Sequence, residues 1–240
     1  MEEVTTKVFS NEQARPALLG SINSHGIFTN GAFESTYAGK GFLAMGSLLA
    51  YPCSRMNGDL SVQSGMVRAI LDTPLLNSRV VPPEEFLPLQ LEKLTVNSIM
   101  NPLTAIFNLR NGLLFRSQQI SVLALALLEE ISAVIRALPE LQDQEGIEKR
   151  FGVEALRGVV WDMAAKTADN TSSMLQDVRA GRETEIEYIN GYICRRGREL
   201  GVKVERNEKL KEMVKGRVTI KVEDIEKWFG KGIVEDFQDS

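Results

Sequence analysis

Histidine and cysteine are nearly missing from this chain: one histidine, His25, and two cysteines, Cys53 and Cys194, in 240 residues. A lone imidazole leaves little room for a histidine-based catalytic triad or a multi-histidine metal site. The two cysteines form no CxxC pair and no disulfide framework, which fits a reducing compartment. Basic charge is not in excess either. The formal net charge of -4 argues against non-specific nucleic-acid binding, which needs a dense cationic surface. Arg195, Arg196 and Arg198 do cluster, and such a cluster reads as the solvated face of a helix. The longest apolar run, Val122 to Leu128, ends at Glu129 and Glu130 and is too short to span a bilayer. The acidic start Met1-Glu2-Glu3 has no apolar core of a secretory signal. GxGxxG, P-loop, HExxH and GxSxG motifs are all lacking.

What is present changes character along the chain. Ala17 to Ile22, Phe33 to Ala38, Phe42 to Met45 and Ser78 to Val81 read as short strands, and Thr29-Asn30-Gly31 as a hairpin turn. Ser61 to Leu71 has helical spacing, with Val62, Met66, Ala69 and Ile70 on one face. Pro82-Pro83 then marks a boundary. Beyond it the pattern is helical. Glu84 to Asn108 is a long helix with Pro102 as an interior kink or break. Ser117 to Leu138 is apolar around most of its circumference, as in a buried helix. Val153 to Ala168, Thr184 to Leu200 (closed by Gly201) and Asn207 to Lys215 follow. The expected layout is a strand-rich part over 1–82, a helical domain over 83–216 and a charged tail over 217–240.

Two stretches could carry chemistry. Lys93, Asn97 and Asn101 stand at i, i+4 and i+8, so a helix aligns them on one stripe amid Leu94, Val96, Ile99 and Met100. A ligand with keto, carboxylate and hydroxyl groups would give such amides and ammonium their partners. An exposed polar stripe, or asparagines that bridge helices near Pro102, is the plainer reading. Farther on, Asn170 to Asp177 is rich in small polar residues. Thr184 suits a helix N-cap, with Glu185 and Glu187 favoured in the first turn. His25 reads most simply as a satisfied structural residue.

These residues resemble the ketopantoate reductase (2-dehydropantoate 2-reductase) family. Lys93 to Ala105 with Asn111-Gly112 is similar to its K-x-x-x-N-x-x-x-N-P-L-T-A…N-G signature. Ser172 to Asp177 and Thr184 to Gly191 resemble its second signature, and the likeness runs from about Leu18 to about Met213. The resemblance implies an incomplete Rossmann-like α/β fragment, followed by an all-α domain of the 6-phosphogluconate dehydrogenase C-terminal-like type. The Gly-rich βαβαβ half that opens the family has no counterpart here.

The resemblance further implies NADPH-dependent reduction of a 2-keto acid, 2-dehydropantoate, to pantoate on the route to pantothenate and coenzyme A. Lys93 matches the proton donor, and Glu185 an acidic residue where cofactor and substrate meet. Asn97, Asn101, Asn111 and Ser173 match substrate contacts. Ile27, in Ser24-His25-Gly26-Ile27, lies in the segment that passes the nicotinamide. A cytoplasmic protein is expected, with mitochondria as the second choice, and a homodimer through the helical domain. Two alternatives stay open: a non-catalytic binding or dimerisation module, and a reductase of another branched 2-keto acid.

Overall fold

A computed structural model describes residues 7–9, 11, 18–47 and 65–230. Two compact units divide the chain, Met1–Gln90 and Leu91–Ser240. Cys53, residues 61–64 of the expected helix and the end of the tail from 231 lie outside the described residues.

The first unit holds a three-stranded sheet and a separate hairpin. Strand β1 (Leu19–Asn23) pairs antiparallel with β4 (Leu43–Ser47), with Ile22 opposite Ala44. Strand β5 (Ser78–Val80) pairs with β4 in parallel, with Met45 opposite Val80. Parallel neighbours require a crossover, and helix α1 (Gly65–Leu71) lies on that connection. Ile22, Ala44, Val81 and Phe86 form the buried cluster, with Phe42 and Leu89 packed on it. Gly46 lets the ring of Phe86 reach the sheet, because a Cβ there would stand 2.4 Å from Cδ2 of Phe86.

Strands β2 (Gly26–Gly31) and β3 (Glu34–Gly39) form the hairpin. Its turn falls on Ala32-Phe33, not on Thr29-Asn30-Gly31 as the sequence suggests. Phe33 there adopts φ 62, and a register shift between Thr29 and Gly31 absorbs the difference. His25 is satisfied on both nitrogens. The Gly41 N–H can only donate, so Nδ1 accepts at 3.0 Å, and Nε2–H therefore donates to the Leu76 carbonyl at 2.8 Å. Tyr37 also bonds Nδ1. The imidazole pins the loop between β1 and β2.

Helix α2 (Pro83–Phe107) begins in the first unit and continues into the second. It runs on through Pro102, where the sequence suggests an interior kink or break; the break does not occur. Proline has no N–H, so the carbonyl of Ser98, four residues earlier, loses its helical partner. The side-chain amide of Asn190 donates to that carbonyl at 3.0 Å. The orphaned acceptor is thus satisfied from outside, and the helix continues.

The second unit is helical around α3 (Gln118–Arg136), twelve of whose residues are buried. Ser117 caps it by accepting from the Ile120 N–H. The helix meets the length and composition of a membrane span, but its apolar surface is packed inside the protein. After a short helix α4 (Ile147–Arg150), α5 (Val153–Lys166) buries Leu156, Val160 and Ala164. The ring of Trp161 stacks on Phe115 at 3.8 Å. Helices α6 (Ser173–Arg179), α7 (Asn190–Leu200), α8 (Glu205–Lys215) and the short α9 (Ile225–Phe229) complete the unit. Arg196 bonds Glu140 and Glu199, and Arg198 faces Glu208, so the arginine cluster is an ion-paired helix face.

A buried polar chain ties the helices together. Glu130 sits inside the apolar run of α3. It accepts from the backbone N–H groups of Arg206 and Asn207 at 3.0 Å each, and from the Asn207 amide at 2.7 Å. A carboxylate at a helix N-terminus meets both orphan N–H groups and the positive end of the helix dipole. Asn207 also donates to the Leu127 carbonyl and accepts from Asn190 at 3.1 Å. Asn190 and Asn207 are fully buried.

Candidate active site

The stripe on α2 forms as its spacing predicts, and its exposure is graded. Lys93 is exposed, Asn97 half-buried and Asn101 buried. At 1.5 Å of rise per residue the stripe is about 12 Å long, descending from surface to interior towards Pro102. The opposite face packs Leu91, Thr95, Ile99 and Leu103. Lys93 is exposed by area, yet enough protein surrounds its ammonium for burial to push its pKa below the usual lysine value. The Glu185 carboxylate acts on it in the opposite sense and favours the proton. Area measures the whole residue, whereas desolvation acts at the charged tip, so the direction of the shift follows the tip.

Thr104, buried on the same helix, donates to the Asn101 carbonyl and bonds the Ser172 hydroxyl at 2.6 Å. Ser172 in turn caps α6 by accepting from the Leu175 N–H. Of the two adjacent serines, Ser172 thus ties this loop to the stripe, while Ser173, the residue matched to substrate binding, is exposed as the first residue of α6.

Asn111 opens a 3₁₀ segment, Asn111–Arg116. Its N–H donates to the Asn170 carbonyl and that of Gly112 to the Ala168 carbonyl. Gly112 is required there, since a Cβ would lie 2.5 Å from Ala168 Cβ. Thr167 spends its hydroxyl proton on Met163, so it can only accept from the Asn111 Nδ2 at 2.9 Å. That fixes Asn111 Oδ1 as a buried acceptor, and it has no partner among the described residues. A buried orphan acceptor costs free energy unless something donates to it. A ligand hydroxyl is a suitable donor.

Glu185 is exposed, at the head of a 3₁₀ turn, Glu185–Glu187. The sequence expectation of one helix from Thr184 is corrected here. The Thr184 side chain makes no capping bond, and the α-helix starts only at Asn190. The Glu185 carbonyl accepts from the Tyr188 and Ile189 N–H groups instead. Lys93 and Glu185 therefore act on one another, and Asn101, Thr104 and Ser172 are bonded together. Asn111 is fixed to the loop that leads to Ser172. Sequence reasoning missed Thr104, Ser172, Asn190 and the Glu130–Asn207 pair, whose partners are remote in the chain.

Ile27 lies in the other unit, exposed on β2. Among the described residues no glycine-rich turn leads from a strand into a helix N-terminus. They therefore offer the pyrophosphate of NADPH no backbone cradle.

Residues 85–218 match the family described as ketopantoate reductase PanE/ApbA C terminal. The chain belongs to that family. A 2-dehydropantoate 2-reductase from Shigella flexneri is 46% identical over 124 residues, 51% of this chain and 37% of that protein. A ketoisovalerate reductase from Gibberella fujikuroi is 30% identical over 245 residues, 85% of this chain and 54% of that protein. The crystal structure of a probable 2-dehydropantoate 2-reductase from Bacillus subtilis superposes with a TM-score of 0.64 at 21% identity. It covers 85% of this chain and 62% of that one, and it places the fold, a small sheet fragment followed by a helical region, among the ketopantoate reductases. The chain spans less than two thirds of the length of each of these relatives.

Proposed function

We propose that the helical unit is the substrate-binding and proton-donating part of an NADPH-dependent 2-dehydropantoate 2-reductase. The observation that carries this reading is the Asn111 Oδ1 acceptor, buried without a partner among the described residues, in the same unit as a helix stripe of amides that leads to a partly desolvated lysine. Asn97, Asn101 and Asn111 orient the keto acid, with the orphan acceptor taking its hydroxyl proton and Ser173 reaching its carboxylate. Restricting orientation in this way removes a large part of a bimolecular barrier.

The hydride would come from NADPH, for which Ile27 would be a contact. Lys93 stabilises the charge that develops on the keto oxygen and then donates its Nζ proton to it. A lowered pKa suits that role, because a less basic ammonium gives up its proton more readily. Glu185 holds the proton on Lys93 until then. The expected setting is the cytoplasm, as a homodimer through the helical domain, with the layout 1–82, 83–216 and 217–240.

The test is titration of the 240-residue chain with pantoate, followed by NMR of the Asn side-chain amides. Saturable shifts at Asn111, lost in Asn111→Ala, support the reading, and their absence ends it. A second reading, reduction of another branched 2-keto acid, draws on the ketoisovalerate reductase match. Ketoisovalerate lacks the hydroxyl of ketopantoate, so a preference for it would leave Asn111 Oδ1 without its donor. Competition between the two keto acids separates the readings.

A further inference from the structure

The bond between Asn190 and α2 joins the two parts of the site that the lysine–carboxylate pair depends on. Ser98 lies between Asn97 and Asn101 on the stripe helix, and its carbonyl lacks its helical donor because residue 102 is proline. Asn190 donates to it at 3.0 Å across 92 positions of sequence. Asn190 is held from behind by Asn207, at 3.1 Å, which Glu130 and the Leu127 carbonyl fix in turn. Just ahead of Asn190, the Tyr188 and Ile189 N–H groups close the turn onto the Glu185 carbonyl. Glu185 is thus one hydrogen-bonded turn from an anchor seated on the helix that carries Lys93.

We propose that Asn190 is a positioning residue: it uses the acceptor vacated by Pro102 to fix the Glu185 turn against the Lys93–Asn97 segment of α2. The proline then has a purpose inside a helix. With an N–H at position 102, the Ser98 carbonyl would already have a donor within its own helix, and Asn190 would have to share it. The role assigned to Lys93 rests on the function proposed above. The geometric claim does not, and it can be read without turnover.

The experiment is a pH titration of the Lys93 side chain by heteronuclear NMR in the 240-residue chain, with the signal assigned by its loss in Lys93→Arg. Asn190→Ala should lower the Lys93 midpoint in the same direction and by the same amount as Glu185→Gln. Combining the two should add nothing. Adding Pro102→Ala to Asn190→Ala restores a helical donor to Ser98. The thermal midpoint should rise above that of Asn190→Ala alone, while the Lys93 titration stays where Asn190→Ala put it. If Asn190→Ala alone does not fold, the double variant gives the titration.

An unchanged Lys93 midpoint in either variant overturns the proposal. So does a double variant that recovers the wild-type titration along with stability, because Asn190 would then only satisfy a carbonyl. A double variant that cannot fold overturns it too, since Ser98 would have its donor back. Loss of pantoate binding with the titration shifts intact would sink the functional reading and leave the positioning role standing.

Discussion

Replacing Glu130 by alanine should unfold the helical unit at much lower denaturant. The carboxylate is 8% exposed and receives three N–H donors, from Arg206 N, Asn207 N and Asn207 Nδ2. Alanine leaves all three donors without it at the start of α8. Each buried donor left unsatisfied costs about 1–3 kcal/mol. Asn207 Nδ2 keeps its bond to the Leu127 carbonyl, so the penalty falls mainly on the two backbone groups and the lost helix-end charge. The sum is about 3–5 kcal/mol, the usual range for removing one partner of a buried charged contact. Against a total stability of about 5–15 kcal/mol, that is a fifth or more of the margin. Both tryptophans, Trp161 and Trp228, lie in the helical unit, so urea unfolding followed by tryptophan fluorescence reports on it alone. With a slope of about 1–3 kcal/mol per molar urea, the midpoint should fall by more than about 1 M. Glu130→Gln retains one acceptor oxygen and should lose less. A midpoint within experimental error of wild type in Glu130→Ala would refute the claim that this carboxylate caps α8.

Other expected outcomes follow from the same geometry. Gly112→Ala drives a Cβ to within 2.7 Å of Ala168 Cα, so it should cost about 1–3 kcal/mol and weaken pantoate binding; unchanged binding would detach Asn111 from the site. Burial pushes the Cys194 thiol up to about 11, so peptide mapping after alkylation at mildly alkaline pH should find Cys194 unmodified in the folded chain and modified in urea. Burial lowers the Lys93 pKa, so the unfolded chain binds more protons between the folded and unfolded values, and stability rises with pH across that window. Lys93→Met should therefore raise the neutral-pH melting temperature, by an amount that shrinks in alkali, and a lower melting temperature would contradict the sign. In a version joined to the family's Gly-rich βαβαβ half and assayed for NADPH oxidation by 2-dehydropantoate, Lys93→Ala should lower turnover about 10²-fold or more, the scale of a lost general acid.

Much of this could be read from local pattern. The stripe of Lys93, Asn97 and Asn101 needed only the 3.6-residue period, and the buried α3 only its density of Leu, Ile and Val. The strands from Leu19, Leu43 and Ser78 were visible as short apolar runs. Failures came where a distant partner decided the outcome. Pro102 read as a kink or break because the donor that satisfies the Ser98 carbonyl, Asn190, lies 92 positions from Ser98. Glu130 looked like the end of an apolar run, since nothing in the run itself indicates a helix N-terminus waiting for a carboxylate. Asn30-Gly31 lost the turn to Ala32-Phe33 because β2 extends to Gly31 with an irregular register. Thr184 matched an N-cap by residue type, but the chain first makes a 3₁₀ turn on Glu185.

The most direct test of the account is the pantoate titration of the 240-residue chain observed at Asn111 and Lys93 together. Saturable shifts at both, with the Lys93 shift abolished by Asn111→Ala at an unchanged melting temperature, are the predicted result. Pantoate that shifts neither signal at saturating concentration, or perturbs only residues away from the α2 stripe, would contradict it.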